Sequence, residues 1–144
     1  MINLADYRKY WESLAETVGV SNALAITIDK EMAKKLQAIK RGEMVLFWLP
    51  PASRSEGAGI DAYKEENSCV LFVMAKYDPL RESSLDCLEA TQLTMELVKA
   101  RLIADAGCPC SKIKAEINSI DTMPETDFYG SFAGWSIGFK IITN

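Results

Sequence analysis

The sequence predicts an α+β fold: a mainly antiparallel sheet with an N-terminal helix and one long helix packed on it, closed by a C-terminal β-hairpin. Three observations predict it. An amphipathic stretch opens the chain, a second and longer one follows residue 81, and the last third then alternates apolar and polar residues through FAGWSIGFKIIT. Helix, strand, turn and strand in that order place the final hairpin at the sheet's closing edge. At 144 residues, the chain is expected to form one domain over residues 1–144, large enough to bury a core of its own.

The first helix is expected over residues 3–17, where Leu4, Tyr7, Trp11, Leu14, Ala15 and Val18 recur at helical spacing. Asn3 suits its N-cap and Gly19 its end. ALAITID alternates, with Leu24, Ile26 and Ile28 on one face, and predicts a short strand over residues 23–28. Residues 30–41 carry Met32, Leu36 and Ile39 at helical spacing and stop at Gly42. This segment holds the densest run of cations, Lys34-Lys35 through Lys40-Arg41, read as a solvated helix face.

MVLFWL (residues 44–49) and CVLFVMA (within a strand over residues 69–76) are unbroken apolar runs, the mark of strands buried on both faces. Either the domain covers both faces itself or a neighbouring subunit covers one. Between them, residues 50–68 combine prolines, glycines and serines and read as a long flexible loop, a hairpin arm rather than a packed element. Two cations against four carboxylates leave this stretch net negative. Its Gly57-Ala58-Gly59 lacks the GK[ST] of a phosphate loop, so no nucleotide site is expected there.

The long helix is expected over residues 83–106. Leu88, Thr91, Met95, Val98 and Leu102 form its main stripe, while Leu93 and Leu97 stand almost opposite. A second apolar patch implies a second neighbour, either the first helix or another subunit. The last two strands are expected over residues 112–119 and Phe132–Thr143, joined by the turn DTMPETDFYGS. In the final strand Ala133, Trp135, Ile137, Phe139 and Ile141 face the core. The alternates Gly134, Ser136, Gly138 and Lys140 leave a strip of small residues where another backbone can approach closely.

Composition narrows the chemistry. Nearly half the residues are hydrophobic and a quarter charged, with a net charge of −4. Interspersed signs argue against a dedicated duplex-binding surface. No apolar run reaches the roughly 20 residues that span a bilayer, so no membrane partner is expected. MINLADYRKYWESL lacks an apolar signal core, which predicts synthesis in the cytoplasm without export. The absence of histidine excludes Ser–His–Asp and Cys–His catalysis. Cys69, Cys87, Cys108 and Cys110 are expected as free thiols, because C-x-C fits neither a thioredoxin-like site nor a zinc knuckle. Catalytic residues, metal ligands and cofactor are therefore all expected to be none.

The long helix together with Phe128-Tyr129-Gly130-Ser131-Phe132-Ala133-Gly134-Trp135-Ser136-Ile137-Gly138-Phe139 resembles the tail terminator and neck proteins of long-tailed bacteriophages. That resemblance implies a structural virion subunit forming a homo-oligomeric ring, commonly a hexamer, at the head-proximal end of a tail. Its partners would be copies of itself and the adjoining tail-tube or neck and portal proteins, with DNA as a passing, unread cargo. The candidate subunit interface comprises Arg54, Tyr63, Leu93, Leu97, Phe132, Gly134, Ser136 and Gly138. One alternative is a cytoplasmic adaptor or regulatory protein-interaction module encoded by a phage or mobile element. An enzyme would instead rest on Asp61, Glu65, Glu66 or Asp121, with Tyr63 or Tyr129 as acid.

Overall fold

A computed structural model of the chain describes residues 1–27 and 30–144. The described residues form an α+β domain of three α-helices and one six-stranded sheet. Helix α1 (Leu4–Thr17) precedes strand β1 (Asn22–Ala25), helix α2 (Lys30–Ala38) and strand β2 (Met44–Trp48). Strands β3 (Ala52–Gly57) and β4 (Tyr63–Lys76) lead to helix α3 (Ser84–Ala106), then to β5 (Asp121–Phe128) and β6 (Phe132–Thr143). The sheet order is β1-β2-β4-β6-β5, with β3 paired to the outer part of β4. The pair β1–β2 is parallel and the other pairs are antiparallel.

Local chemistry fixes the helix ends. Asn3 Oδ1 accepts from the Asp6 N–H at 3.0 Å, and the chain leaves α1 through Gly19 at φ +78°. At the start of α3, Ser83 Oγ accepts from the Leu85 N–H at 3.2 Å, while the Asp86 carboxylate accepts from the Ser83 N–H at 3.3 Å. Asn3 and Gly19 are the cap and the stop that the sequence offered for the first helix. Of the expected first strand, Ile28 lies outside the described residues.

The two apolar runs are covered on both sides by the domain itself. In β2, Leu46 and Trp48 join a core with Tyr7, Trp11 and Leu14 of α1 and Met95, Val98 and Leu102 of α3. Val45 and Phe47 turn the other way, onto Met32 and Ile39 near α2 and onto Met74 and Phe132. Strand β4 alternates likewise, with Leu71 and Val73 in the first core and Met74 in the second. The parallel β1–β2 pair requires a crossover, and α2 is that crossover.

Three expectations need correction. Residues 50–68 are a largely exposed hairpin, as expected, but not an irregular loop: Ala52–Gly57 pairs with residues 63–68 of β4, and residues 65–68 pair in turn with the end of β6. Their composition misleads because β3, exposed on both faces, needs no apolar alternation. Residues 112–119 form no strand, only extended backbone and a short 3-10 turn at Ile117–Ser119. Ile113 and Ala115 are nonetheless buried in the first core, whereas Ile117, which alternates with them, is exposed. The partner of β6 is instead β5, built from the polar stretch read as a turn, where Pro124 sits opposite Trp135. This is an edge strand, and there a missing N–H is tolerated. Finally, Cys108 and Cys110 are not free thiols but are joined in a disulfide across Pro109, with Cα atoms 5.3 Å apart. Their spacing rules out a thioredoxin-like motif but not a bond, since a tight turn brings the two Cα atoms into bonding range. Cys69 and Cys87 are buried and free.

Candidate subunit interface

The expected interface residues divide into three groups. Arg54 and Tyr63 lie on the ribbon formed by β3 and the first residues of β4. Every residue of β3 is exposed, and Arg54 reaches Glu56 on its own strand at 3.7 Å. The ribbon tip carries Ile60, 90% exposed, and Tyr63 stands half in solvent. Gly57 has φ +155°, and a Cβ there would come within 2.4 Å of the Ala62 carbonyl oxygen, so the reversal needs glycine.

The base of this arm is tied to the domain by the pairing of residues 65–68 with β6 and by one buried side chain the sequence reading missed. Asn67 is fully buried. Its amide nitrogen donates to the Ile141 carbonyl at 3.0 Å and to Thr143 Oγ1 at 3.1 Å, and its Oδ1 accepts from Ser53 Oγ at 2.8 Å. One amide thus links β3, β4 and β6. Parity was the available signal: Asn67 lies two residues before Cys69 and four before Leu71, on the core-facing side of β4. Two ion pairs flank it, Lys140 with Glu66 at 2.9 Å and the N-terminal amine with Glu65. Asn67→Ala is expected to cost about 1–3 kcal/mol, the penalty for stranding buried partners. Amide hydrogen exchange should then rise in β3 before it rises in α3.

The second group, Leu93 and Leu97, lies on the outer face of α3, 71% and 48% exposed. The main stripe of that helix, Thr91, Met95, Val98 and Leu102, is buried against the sheet. The first helix does not cover the opposite face. It meets α3 at the helix's far end, where Tyr10 Oη donates to Asp105 Oδ2 at 2.8 Å and Arg101 Nε donates to the same oxygen at 3.0 Å. Burial and the Asp105 hydrogen bond push the Tyr10 phenol far above its ordinary pKa. This half-buried cluster joins two helices and was not anticipated.

The third group is on β6, and the structure splits it. Phe132 is fully buried in the second core and cannot reach a partner, so it is removed from the interface set. Gly134 is removed too: a Cβ there would lie 2.0 Å from the Val73 carbonyl oxygen. The close approach its glycine serves is to β4 of the same chain. Ser136 is nearly buried and donates to Glu125 Oε1 at 2.7 Å. Gly138 differs, since nothing lies within 4 Å of where its Cβ would be. The open part of the strip is therefore the Gly138 end, beside the exposed Met123 of β5.

The carboxylates considered for acid–base work are not brought together. Asp61 is at the arm tip, Glu65 and Glu66 are in the ion pairs at its base, and Asp121 pairs across from Gly138 on the sheet edge. Tyr129 is in the β5–β6 turn at φ +50°. Among the described residues, no group of three or more His, Cys, Asp or Glu side chains is placed to hold a metal ion. No described helix is long and apolar enough to cross a membrane. No protein-family model matches the chain, and no curated protein matches it.

Proposed function

We propose that the protein is a structural subunit of a homo-oligomeric ring at the head-proximal end of a phage tail, in a terminator or neck role, through which DNA passes without sequence readout. The observation that carries this reading is the arm. Strand β3 buries none of its six residues, and beyond Glu65, where the pairing with β6 ends, β3 and β4 stand as a two-stranded ribbon, a form only marginally stable in water. Its attachment through Asn67 supports a ribbon presented to something outside the domain. The exposed Leu93–Leu97 patch on α3 and the open Gly138 strip lie on other elements. Contacts between unlike surfaces of successive copies close into a ring when the rotation permits. The negative net charge suits a lumen that does not retain passing phosphate. On this reading its partners are its own copies and the tail-tube and neck or portal proteins on either side, and its place is the virion.

Light scattering and negative-stain microscopy of the purified protein, alone and with its tail-tube partner, test the reading. A ring of several copies is the expected result, and a monomer that stays monomeric beside the tail components defeats it. The double variant Leu93→Glu/Leu97→Glu should lower the solution mass to that of one chain. Its melting temperature should barely move, since exposed substitutions change stability by about 0.5 kcal/mol or less.

A further inference from the structure

The turn that ends α3 holds the one disulfide among the described residues, Cys108–Cys110. The Cys108 N–H donates to the Asp105 carbonyl at 3.1 Å, and the Ser111 N–H donates to the Cys108 carbonyl at 3.2 Å. The turn is thus already held by backbone hydrogen bonds. A bridge between residues only two apart closes a very small loop, and small loops remove the least entropy from the unfolded chain. Fold stability is therefore a poor reason for this bond. Its surroundings supply a better one. Cys110 is exposed and Cys108 half-buried.

Cys110 forms one wall of an open groove of about 420 Å³ between α1 and the end of α3. Lys9, Tyr10, Arg101, Asp105 and Lys112 line the rest. Both carboxylates that face it are engaged, Asp105 by Tyr10 and Arg101, and Asp6 by Lys112 at 3.1 Å. Lys9 is exposed and makes no ion pair or hydrogen bond among the described residues. The groove therefore offers an accessible disulfide sulfur next to an uncommitted cation. Exposed disulfides are the ones that exchange, and neighbouring cations favour the thiolate that attacks or leaves.

We propose that Cys108–Cys110 is a reversible thiol–disulfide exchange site for a small anionic thiol of the glutathione class, with Cys110 as the sulfur attacked and Lys9 as the cation that receives the thiol's carboxylate. The incoming thiolate forms a bond to Cys110 Sγ as the Cys108–Cys110 bond breaks. The bonding pair moves to Cys108 Sγ, which takes a proton from water. A second thiolate then attacks the mixed disulfide at the small thiol's sulfur. Cys110 leaves as a thiolate and is protonated, and the two small thiols depart as their own disulfide. Two electrons and two protons pass from the small thiols to the protein. Cys69 takes no part, because burial pushes its thiol up to about 11. This site does not depend on the ring reading and stands or falls separately from it.

The test uses the full chain purified without reductant, a chromogenic thiol reagent and mass spectrometry. The folded protein should show no fast-reacting thiol at first and two after incubation with reduced glutathione at cellular concentration. Cys69 and Cys87 should react only on unfolding. With oxidised glutathione, Cys108→Ser should gain one glutathionyl group on Cys110 at least tenfold faster than Cys110→Ser gains one on Cys108. Lys9→Glu in the Cys108→Ser background should slow that labelling severalfold without moving the melting temperature. Four free thiols in the unfolded, unreduced protein would overturn the proposal, as would a disulfide that survives glutathione or equal rates in the two serine variants. An unchanged rate in Lys9→Glu would overturn the role given to Lys9.

Discussion

Trp11→Ala is expected to cost about 3–5 kcal/mol, the largest loss available from a single truncation in this core. Trp11 is fully buried at the point where α1 meets the sheet. Its ring lies edge-on to Tyr7 at 5.4 Å, to Tyr10 at 5.0 Å and to Phe139 at 5.9 Å. Truncation leaves a cavity bounded by three aromatic rings that rigid strands and a capped helix prevent from collapsing. A domain of this size has roughly 5–15 kcal/mol in all, so the variant should unfold at much lower urea. Trp11→Phe keeps most of the contact and should retain most of the stability. Equal urea midpoints for Trp11→Ala and the wild type would show that α1 is not part of the cooperative unit.

Gly134→Ala and Gly138→Leu make a pair with opposite outcomes. Both glycines are on the same face of β6, four residues apart. At Gly134 the added methyl would meet the Val73 carbonyl oxygen at 2.0 Å and the Met74 Cα at 2.9 Å, so β4 and β6 must separate. Forcing volume into a packed site costs about 1–3 kcal/mol, and with backbone on the receiving side the upper end is expected. At Gly138 an added Cβ enters open space, so Gly138→Leu should preserve folding and weaken assembly. Thermal melts together with solution mass read both. Gly138→Leu that unfolds the domain, or leaves the oligomer untouched, would remove this strip from the interface.

The contrast between these glycines also shows what could be read in advance. Alternation through Phe132–Thr143 identified the strand and one of its faces, with Ala133, Ile137, Phe139 and Ile141 buried, but not that the other face is covered too, at Phe132 and Ser136. Helical periodicity located both long helices, and Asn3 marked the start of the first because a cap acts on residues next to it. Gly134 and Gly138 look alike in sequence, and only the backbone of β4 distinguishes the first as an internal contact. Strand β5 was illegible because an edge strand holding Pro124 and several charges satisfies the sheet without apolar alternation. The disulfide was illegible because a two-residue spacing is neutral until the turn geometry is known. Of the candidate interface, Leu93 and Leu97 followed from the helical wheel, whereas the Asn67 clamp depended on three strands meeting.

The continuity of β4 has a mechanical consequence. This strand runs unbroken for 14 residues, from Tyr63 in the ribbon to Lys76 deep in the sheet. Its inner part is flanked by β2 on one side and by β6 on the other. A tensile load applied at the ribbon tip is therefore delivered along the axis of a central strand. Many ladder bonds on two sides then resist together in shear, rather than yielding one after another as they would if an edge strand were peeled. Strand β3, held by β4 alone, would detach first under such a pull. The result is a sacrificial outer strand on a stiff inner one, so the ribbon can be strained by whatever it grips while the core stays folded.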